Sequence, residues 1–292
     1  MNQKVGVGKA HSKIIWMGEH SVVYGYPAIA IPLKSIEVEC RIFPSDKQLT
    51  FDFYDTLSTA IYAALDYLNK TDISISYAIR SQVPQKRGMG SSAAVSIAAI
   101  RAVFDYFEQT IDKETLGILV NQAEIIAHSN PSGLDAKTCL SDSAIKYIRN
   151  VGFETLELNL DAFLIIADTG IQGHTREAVD KVAYFEEKNL PYLSSLGDLA
   201  EDVNKHIRSK NIKQIGKSMT KAHTYLQNIG VSIGISNHLV KVALANGALG
   251  AKMSGGGLGG CIIALADNKV SADEIVEKLR EEGAINTWIE EL

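Results

Sequence analysis

The sequence predicts an α+β fold made of two domains. Three observations lead to this expectation: stretches that alternate between apolar and polar residues, stretches with apolar residues at helical spacing, and a length of 292 residues, which is about twice the usual ~150-residue domain. The C-terminal part of the chain has a strand–loop–strand–helix–strand pattern, and several helices precede it. This order is typical of helices packed on one face of a mostly antiparallel sheet. We place the boundary near residue 160, giving domains 1–160 and 161–292.

The first half begins with strands and continues with helices. Glu37, Glu39 and Arg41 alternate with apolar residues, which is the period of a half-buried strand. The helix expected at 92–107 has apolar or small residues on nearly all sides and is therefore expected to be buried. The next helix should stop before Pro131, because a residue that precedes proline disfavours helix. The expected strands are 13–17, 29–42 and 73–83, and the expected helices are 56–68, 92–107 and 113–129.

The second half is expected to place most of its helices before the closing sheet. Ser271, with Glu274 three residues later, has the pattern of a capping box, and Gly283 is well placed to end that last helix. The expected strands are 163–167, 251–253, 261–266 and 286–289, and the other expected helices are 175–188, 192–209, 212–229 and 237–245.

Composition excludes several classes of protein. Lys and Arg number 29 against 34 Asp and Glu, a net charge of −5, so a generally basic nucleic-acid surface is not indicated. No apolar run reaches the roughly 18 residues of a membrane span, and the first 13 residues do not resemble a secretory leader. Three widely spaced cysteines without a CxxC pair predict neither a disulfide framework nor a zinc site. We therefore expect a reducing cytoplasm.

A glycine-rich turn, GMGSSAA at 88–94, joins a predicted strand to the predicted buried helix. The first amides of a helix lack intrahelical partners and carry the positive end of its dipole, and glycines allow a ligand to approach closely. With Lys86 and Arg87 just before it, the turn predicts a phosphate site, in which Ser91 and Ser92 supply hydroxyl oxygens for a phosphate-bound Mg²⁺. A tight turn with a serine cap is the alternative.

Two carboxylates follow this turn. Glu124 falls at the margin of the buried stripe of its helix, where a carboxylate is either solvated or held by a metal or a cation. Periodicity alone favours the solvated position. Asp135 follows a turn rich in Pro, Ser and Gly, where aspartates usually bond to local backbone; the alternative is a base that takes a proton from a substrate hydroxyl.

Further candidates lie near the two ends of the chain. A predicted strand starts at Lys13 and is followed by Glu19 and His20. The end of a strand is a natural place for ligand contacts, although a single lysine is usually solvated and a single histidine usually structural. Five glycines occupy positions 255–260, interrupted by Leu258. They fit either a flexible hairpin loop or a backbone that must come very close to a ligand or to another segment.

Three of these segments, taken in order, resemble the three motifs of the GHMP kinase superfamily, named for galactokinase, homoserine kinase, mevalonate kinase and phosphomevalonate kinase. Residues 13–25 resemble the first motif, 84–94 the second (P-x3-G-x-G-S-S-A-A) and 252–261 the third. The resemblance implies a two-domain fold, with an N-terminal domain like ribosomal S5 domain 2 that binds ATP and Mg²⁺. It implies a ferredoxin-like C-terminal domain with inserted helices.

Two segments resemble the mevalonate-phosphorylating branch of the superfamily. They are GEHSVVYG at 18–25 and NPSGLD at 130–135. Glu124 lies 11 positions before Asp135, the separation that this branch has between its magnesium glutamate and its catalytic aspartate. The third motif departs slightly, since residues 253–257 read MSGGG where many relatives have a Thr-Gly-Ala-Gly version.

The resemblance implies a cytoplasmic enzyme of isoprenoid biosynthesis that uses ATP to phosphorylate the 5-hydroxyl of mevalonate. Asp135 would be the base and Lys13 would stabilise the transition state. Ser92 and Glu124 would hold Mg²⁺. Glu19 and His20 would bind mevalonate, with Thr175 and Arg176 as weaker substrate candidates. The residues implied in ATP binding are Pro84, Lys86, Arg87, Gly88, Met89, Gly90, Ser91, Ser92, Ala93 and Ala94, and those of the glycine loop are Ser254, Gly255, Gly256 and Gly257.

Alternatives remain at this stage. Another GHMP kinase, acting on phosphomevalonate or homoserine, would carry the same three motifs, and so would a non-catalytic paralogue that binds nucleotide to regulate. The presence of Lys13, Glu124 and Asp135 together argues against the paralogue. The expected partners are small molecules, mevalonate and ATP, with no nucleic acid and no membrane, and a homodimer is left open.

Overall fold

The computed structural model describes residues 4–52, 54–127 and 133–292. The chain forms two compact units, each assembled from separate stretches of sequence. The first contains Met1–Lys13, Pro32–Gln85 and Gly90–Asp142, and the second contains Ile14–Ile31, Lys86–Met89 and Ser143–Leu292. The single boundary at residue 160 stays a prediction.

The predicted strands and helices occur in the predicted order, and three short elements that the sequence analysis did not predict lie at 134–139, 144–148 and 152–156. The strands are β1 (Gly6–Met17), β2 (Ala28–Pro44), β3 (Ile75–Ser81), β4 (Ala144–Ile148), β5 (Gly152–Leu156), β6 (Phe163–Asp168), β7 (Gly250–Ser254), β8 (Cys261–Ala266) and β9 (Asn286–Glu291). The helices are α1 (Thr56–Tyr67), α2 (Ser91–Tyr106), α3 (Lys113–Ala127), α4 (Leu134–Cys139), α5 (Thr175–Tyr184), α6 (Glu186–Arg208), α7 (Ile212–Asn228), α8 (Gly234–Ala245) and α9 (Lys269–Glu281). A short 3-10 turn covers Ser21–Tyr24.

In the first unit, helices pack on the early strands. The outer part of β2 pairs antiparallel with β3, from Val38 opposite Ser81 to Pro44 opposite Ile75. Helix α1 packs against both α2 and α3. The backbone of β1 comes so close to α2 that a Cβ on Gly8 would lie 2.1 Å from the carbonyl oxygen of Ala98. The buried position predicted for α2 is confirmed, since its Ala and Ile side chains are inaccessible to solvent.

In the second unit, an antiparallel four-stranded sheet has the order β7-β8-β6-β9. Central strand β6 pairs with β8 on one side and with β9 on the other. Helices α8 and α9 share one apolar core with this sheet, formed around Ile165, Leu239, Ala264 and Ile275. The inner part of β2 pairs with β4, and β4 pairs with β5. The predicted α+β class with antiparallel sheets is confirmed.

The starts of α6, α8 and α9 differ from the prediction, and α8 begins at Gly234 instead of residue 237. The long helix α6 begins at Glu186 and runs through Pro191, whereas we expected a break at the proline. A proline in the second turn removes one backbone hydrogen bond, and the buried face formed by residues such as Leu193 and Leu196 outweighs that loss. Helix α9 begins at Lys269, and the side chain of its N-cap, Asn268, accepts from the amide of Ser271. The predicted cap at Ser271 is therefore wrong by three positions.

The predicted C-terminal end of α3, at residue 129, cannot be compared with the structure. Ser129 and the Asn130, Pro131 and Ser132 part of the turn lie outside the described residues. Cys40, Cys139 and Cys261 are free thiols and all are buried. No helix in the described part of the chain is long and apolar enough to cross a membrane.

Candidate active site

The first unit brings the predicted base and its predicted lysine into direct contact. Lys13 lies within β1 with only 2% of its side chain exposed, and its Nζ is 2.8 Å from Asp135 Oδ1. Asp135 is the second residue of α4 and has 43% of its side chain exposed. The lysine is therefore not solvated, and its positive charge lies against a carboxylate that solvent can reach.

The same unit joins the two predicted magnesium ligands. Ser92 Oγ donates a hydrogen bond of 2.7 Å to Glu124 Oε1, and Thr56 Oγ1 lies 3.3 Å from the same hydroxyl. Glu124 is only 7% exposed, so the solvated position favoured by periodicity is wrong. The two oxygens are nearly as far apart as neighbouring ligands of an octahedral Mg²⁺, for which bonds of about 2.1 Å imply about 3 Å. The donor set therefore fits Mg²⁺.

Cys139 shows that these two pairs belong to one cluster. Burial raises the pKa of its thiol, the carboxylates of Asp135 and Glu124 raise it further, and the charge of Lys13 opposes them. Its Sγ also lies 4.0 Å from the carbonyl oxygen of Gly90, two residues before Ser92. Charges from three distant parts of the sequence thus act on one buried atom.

Gly90 is the point at which the glycine-rich turn meets this cluster. It is the N-cap of α2, with φ 68° and ψ 29°, a left-handed conformation that favours glycine. A Cβ here would lie 2.8 Å from two carbons of the Lys13 side chain. Among the described residues no side chain caps this helix, so the alternative of a serine cap is wrong.

The remaining residues of the turn contribute mainly backbone. Met89, Ala93 and Ala94 are buried, so their side chains are not groups that a ligand could reach. The amide of Ala94 already donates to the carbonyl oxygen of Gly90, so a ligand could use only amides that precede it. Lys86 is exposed and has a positive φ of 55°, and Pro84 is half-buried.

In the second unit, Glu19 forms a fully buried ion pair. Its Oε1 accepts from Nζ of Lys252, and neither side chain is exposed. The same Nζ donates to the carbonyl oxygen of Met253 at 2.8 Å. Burial lowers the pKa of Lys252, and the neighbouring carboxylate opposes that shift. Lys252 is a site residue that the sequence did not single out, although it opens the third motif.

His20 is held in an unusual backbone conformation beside this pair. Its φ of 60° with ψ of −45° is uncommon for a residue with a side chain, and such strain is often found at functional sites. Its Nε2 lies 2.8 Å from the carbonyl oxygen of Gly256. Since a carbonyl only accepts, Nε2 carries the proton and Nδ1 is an acceptor. Burial lowers the pKa of His20 to about 4, which keeps the ring neutral at pH 7.

The glycine cluster is packed against other backbone and is not a flexible hairpin. A Cβ on Gly255 would lie 3.1 Å from Cα of Gly88, and one on Gly256 would lie 2.5 Å from Oγ1 of Thr175. Ser254 Oγ donates to the carbonyl oxygen of Ile15 at 2.6 Å. The close-approach interpretation is therefore the right one.

The two weaker substrate candidates begin helix α5. Thr175 and Arg176 are both exposed, and the contact with Gly256 places Thr175 beside the glycine cluster.

Arg87 is paired with a carboxylate that sequence analysis did not identify. Its Nε donates to Asp168 Oδ1 at 2.7 Å, with 11% of the arginine side chain and 1% of the aspartate side chain exposed. The two residues are separated by 81 positions, so no local pattern joins them. The only sequence feature that pointed to Asp168 is the polar turn that begins there, at the end of a predicted buried strand.

Comparison with known families identifies proteins that this chain is similar to. The profile of the GHMP kinases N terminal domain matches residues 57–142, and the profile of the GHMP kinases C terminal region matches residues 201–285. A mevalonate kinase of Pyrococcus furiosus is 31% identical over 301 aligned positions, which cover 90% of each chain.

Solved structures show the same likeness. The mevalonate kinase of methicillin-resistant Staphylococcus aureus is 29% identical and superposes with a TM-score of 0.81 over 99% of each chain. The L. major mevalonate kinase, solved in complex with R-mevalonate, is 25% identical, with a TM-score of 0.85 over 99% of this chain and 95% of that one.

Proposed function

The chain is a GHMP kinase of the mevalonate kinase family, and from this premise we propose that it transfers the terminal phosphoryl group of ATP to the 5-hydroxyl of mevalonate. The products are 5-phosphomevalonate and ADP. The observation that carries the proposal is the contact between Lys13 Nζ and Asp135 Oδ1, 2.8 Å long, in the same cluster as the pair formed by half-buried Ser92 and buried Glu124.

Asp135 acts as the base in this proposal. Its carboxylate takes the proton from the substrate hydroxyl as the oxygen attacks phosphorus. Lys13 holds that carboxylate in place, and its ammonium stabilises the negative charge that develops on the transferring oxygens. Phosphoryl transfer depends chiefly on positioning and electrostatics, and an almost fully buried lysine supplies both, because its side chain has little freedom to move.

The nucleotide phosphates bind at the N-terminus of α2. Its first amides point out of the helix, and the absence of a side chain on Gly90 lets Lys13 pack against the turn at that end. Ser92 and Glu124 would hold Mg²⁺, which neutralises charge on the phosphate oxygens when it is bound. The hydroxyl of Thr56, 3.3 Å from Ser92 Oγ, supports the same oxygen-rich pocket.

His20 is the residue we propose to contact mevalonate. Its neutral ring offers Nδ1 as an acceptor for a substrate hydroxyl. The carboxylate of Glu19 is buried against Lys252, so we propose that Glu19 acts on mevalonate through the position of His20. Thr175 and Arg176 stay candidates, and Arg176 suits a carboxylate because guanidinium groups bind it in a bidentate manner.

A panel of alcohols tests this assignment. The purified protein is incubated with ATP, Mg²⁺ and, in separate reactions, mevalonate, phosphomevalonate, homoserine or galactose, and ADP release is followed. We expect mevalonate to give the highest kcat/KM by at least about 100-fold. Preference for phosphomevalonate or homoserine would assign the chain to another activity of the family. Nucleotide binding without turnover of any alcohol would indicate the non-catalytic paralogue.

Assembly and location stay predictions. The homodimer is tested by light scattering during size-exclusion chromatography. The cytoplasmic location is tested by fractionating cells that express the native chain.

A further inference from the structure

A closed ring of hydrogen bonds holds the beginning of the glycine-rich turn. Arg87 Nε donates to Asp168 Oδ1 at 2.7 Å, and Arg87 Nη2 donates to the carbonyl oxygen of Gly170 at 3.2 Å. The amide of Gly170 donates back to the same Asp168 oxygen at 2.9 Å. Two of these bonds join the Arg87 side chain to Asp168 and Gly170 at the end of β6, and the third bond links those two residues to each other.

The backbone around Arg87 is fixed from both sides. The amide of Gly173 donates to the carbonyl oxygen of Lys86 at 2.7 Å. A Cβ on Gly260 would lie 3.0 Å from the carbonyl oxygen of Arg87, and one on Gly255 would lie 3.1 Å from Cα of Gly88. Residues 86–88, which belong to the second unit, thus lie against two other loops of that unit, with no room for extra atoms.

The charge of Arg87 is used within the protein. Its guanidinium lies against a carboxylate that is 1% exposed, so the positive charge is compensated before any ligand arrives. Arg87 Nη1 and Asp168 Oδ2 are both buried and have no hydrogen-bond partner among the described residues. A buried ion pair that is incompletely satisfied adds little net stability compared with apolar side chains. Its placement on this turn therefore indicates a purpose other than stability.

Resting on the kinase function proposed above, we propose that Arg87 and Asp168 are positioning residues for the nucleotide phosphates. The pair fixes the backbone of residues 86–88, the part of the glycine-rich segment that belongs to the second unit. The backbone amides of this part, which the nucleotide phosphates approach, are thereby preorganised. Arg87 acts through the turn and does not itself bind phosphate.

Positioning and direct contact predict opposite effects for one substitution. In Asp168→Asn the neutral amide no longer compensates Arg87, so a phosphate-binding arginine would bind ATP as well as before or more tightly. A positioning pair predicts weaker ATP binding, because the turn loses its anchor. For Arg87→Met, both a positioning role and direct phosphate contact predict weaker ATP binding, so this variant shows only that Arg87 contributes to binding.

The experiment measures ATP binding and steady-state kinetics of the full chain. We expect Arg87→Met and Asp168→Asn each to raise the KM for ATP and the dissociation constant of a non-hydrolysable ATP analogue at least about tenfold. The KM for mevalonate should stay within about twofold. Arg87→Lys should recover part of the loss, since it keeps the charge opposite Asp168 but cannot donate to Gly170 in the same geometry.

Lys146→Met is the matched control. Lys146 lies in the same unit, with 12% of its side chain exposed, and its Nζ is 2.6 Å from Glu201 Oε2. The substitution Lys146→Met removes a mostly buried cation from an ion pair that the proposal does not involve. We expect a loss of thermal stability comparable to that of the milder variant Arg87→Lys, without a change in the KM for ATP.

Several outcomes would overturn the proposal. Unchanged or tighter ATP binding in Asp168→Asn would make Arg87 a direct phosphate ligand. A rise in both KM values in proportion to lost stability, shared by Lys146→Met, would make the pair structural only. If Arg87→Met does not fold, Arg87→Lys and Asp168→Asn still decide between these cases. A wild-type chain that does not phosphorylate mevalonate would contradict the proposed function, while the dissociation constants would still test the pair.

Discussion

Replacement of Lys252 by methionine tests the buried ion pair most sharply. The carboxylate of Glu19 is fully buried and accepts from Lys252 Nζ, so Lys252→Met leaves a charge in the protein interior without its cation. Breaking a buried pair in this way costs about 3–5 kcal/mol. Lys252 also donates to the carbonyl oxygen of Met253, and loss of that bond adds about 1 kcal/mol. We expect the free energy of unfolding to fall by about 4–6 kcal/mol.

The double variant Glu19→Gln/Lys252→Met separates charge from packing. Both charges are then absent, and a pair of this kind can be replaced by neutral side chains at little cost. We expect the double variant to lie within about 2 kcal/mol of the wild type, which means that the two substitutions are strongly coupled.

Tryptophan fluorescence during urea unfolding is the assay. Trp16 and Trp288 are the two tryptophans of the chain, and both belong to the unit that contains the ion pair. Their signal therefore reports on the relevant part of the protein, even where the two units unfold separately.

The pH dependence of Lys252→Met provides a second readout. Without its cation, the buried Glu19 has a pKa above that of the unfolded chain, so the folded state binds more protons in the window between the two. The stability of the variant relative to the wild type at the same pH should therefore increase as the pH falls from 8 towards 5, because the histidines contribute equally to both proteins. A loss below about 1 kcal/mol, or a loss equal at both pH values, would refute the reasoning.

Three further predictions concern magnesium, pH and backbone packing. Ser92→Ala and Glu124→Gln should raise the Mg²⁺ concentration for half-maximal activity at least about tenfold, as seen in a titration of initial rates. Burial lowers the pKa of His20 and of His223 to about 4, so the unfolded chain binds protons first as the pH falls. Urea midpoints should therefore fall between pH 6.5 and 4, with a loss in the free energy of unfolding of up to about 3 kcal/mol for each histidine. Gly250→Ala should cost at least about 2 kcal/mol in the same assay, because its Cβ would lie 1.8 Å from the carbonyl oxygen of Gly216.

Each of these has a clear contrary result. An unchanged Mg²⁺ titration in both variants would remove Ser92 and Glu124 from the magnesium site. Urea midpoints that stay constant between pH 6.5 and 4 would contradict the burial of the neutral histidines. For the glycine, Gly234→Ala is the control, since a Cβ there meets nothing within 4 Å; it should be neutral or stabilising, and equal losses at the two positions would contradict the steric argument.

The sequence predicted the fold class and much of the site because their signals are local. Alternation and helical spacing identified most strands and helices, and three motifs identified the segments around Lys13, Ser92 and Gly255. Short elements such as α4, with six residues, and β5, with five, carry too few residues for a period to stand out. They depend on the tertiary structure around them.

The pairs that complete the site could not be predicted from local patterns. Lys252 and Glu19 are 233 positions apart, and Arg87 and Asp168 are 81 apart. Only the folded chain brings them together, and without a partner in view each of these charges is expected to be solvated. Glu124 shows the same limit, because its periodicity indicated a solvated edge whereas the neighbouring hydroxyl of Ser92 makes burial tolerable.

The turnover of Asp135→Asn tests the central claim most directly. We expect kcat with mevalonate to fall by about 10²–10⁴, while the dissociation constant for ATP stays near that of the wild type. Asp142→Asn is the control, because that aspartate is 81% exposed in its pair with Lys113 and should keep full activity. If Asp135→Asn turned over mevalonate at the rate of this control, Asp135 would not be the base and the proposed mechanism would be wrong.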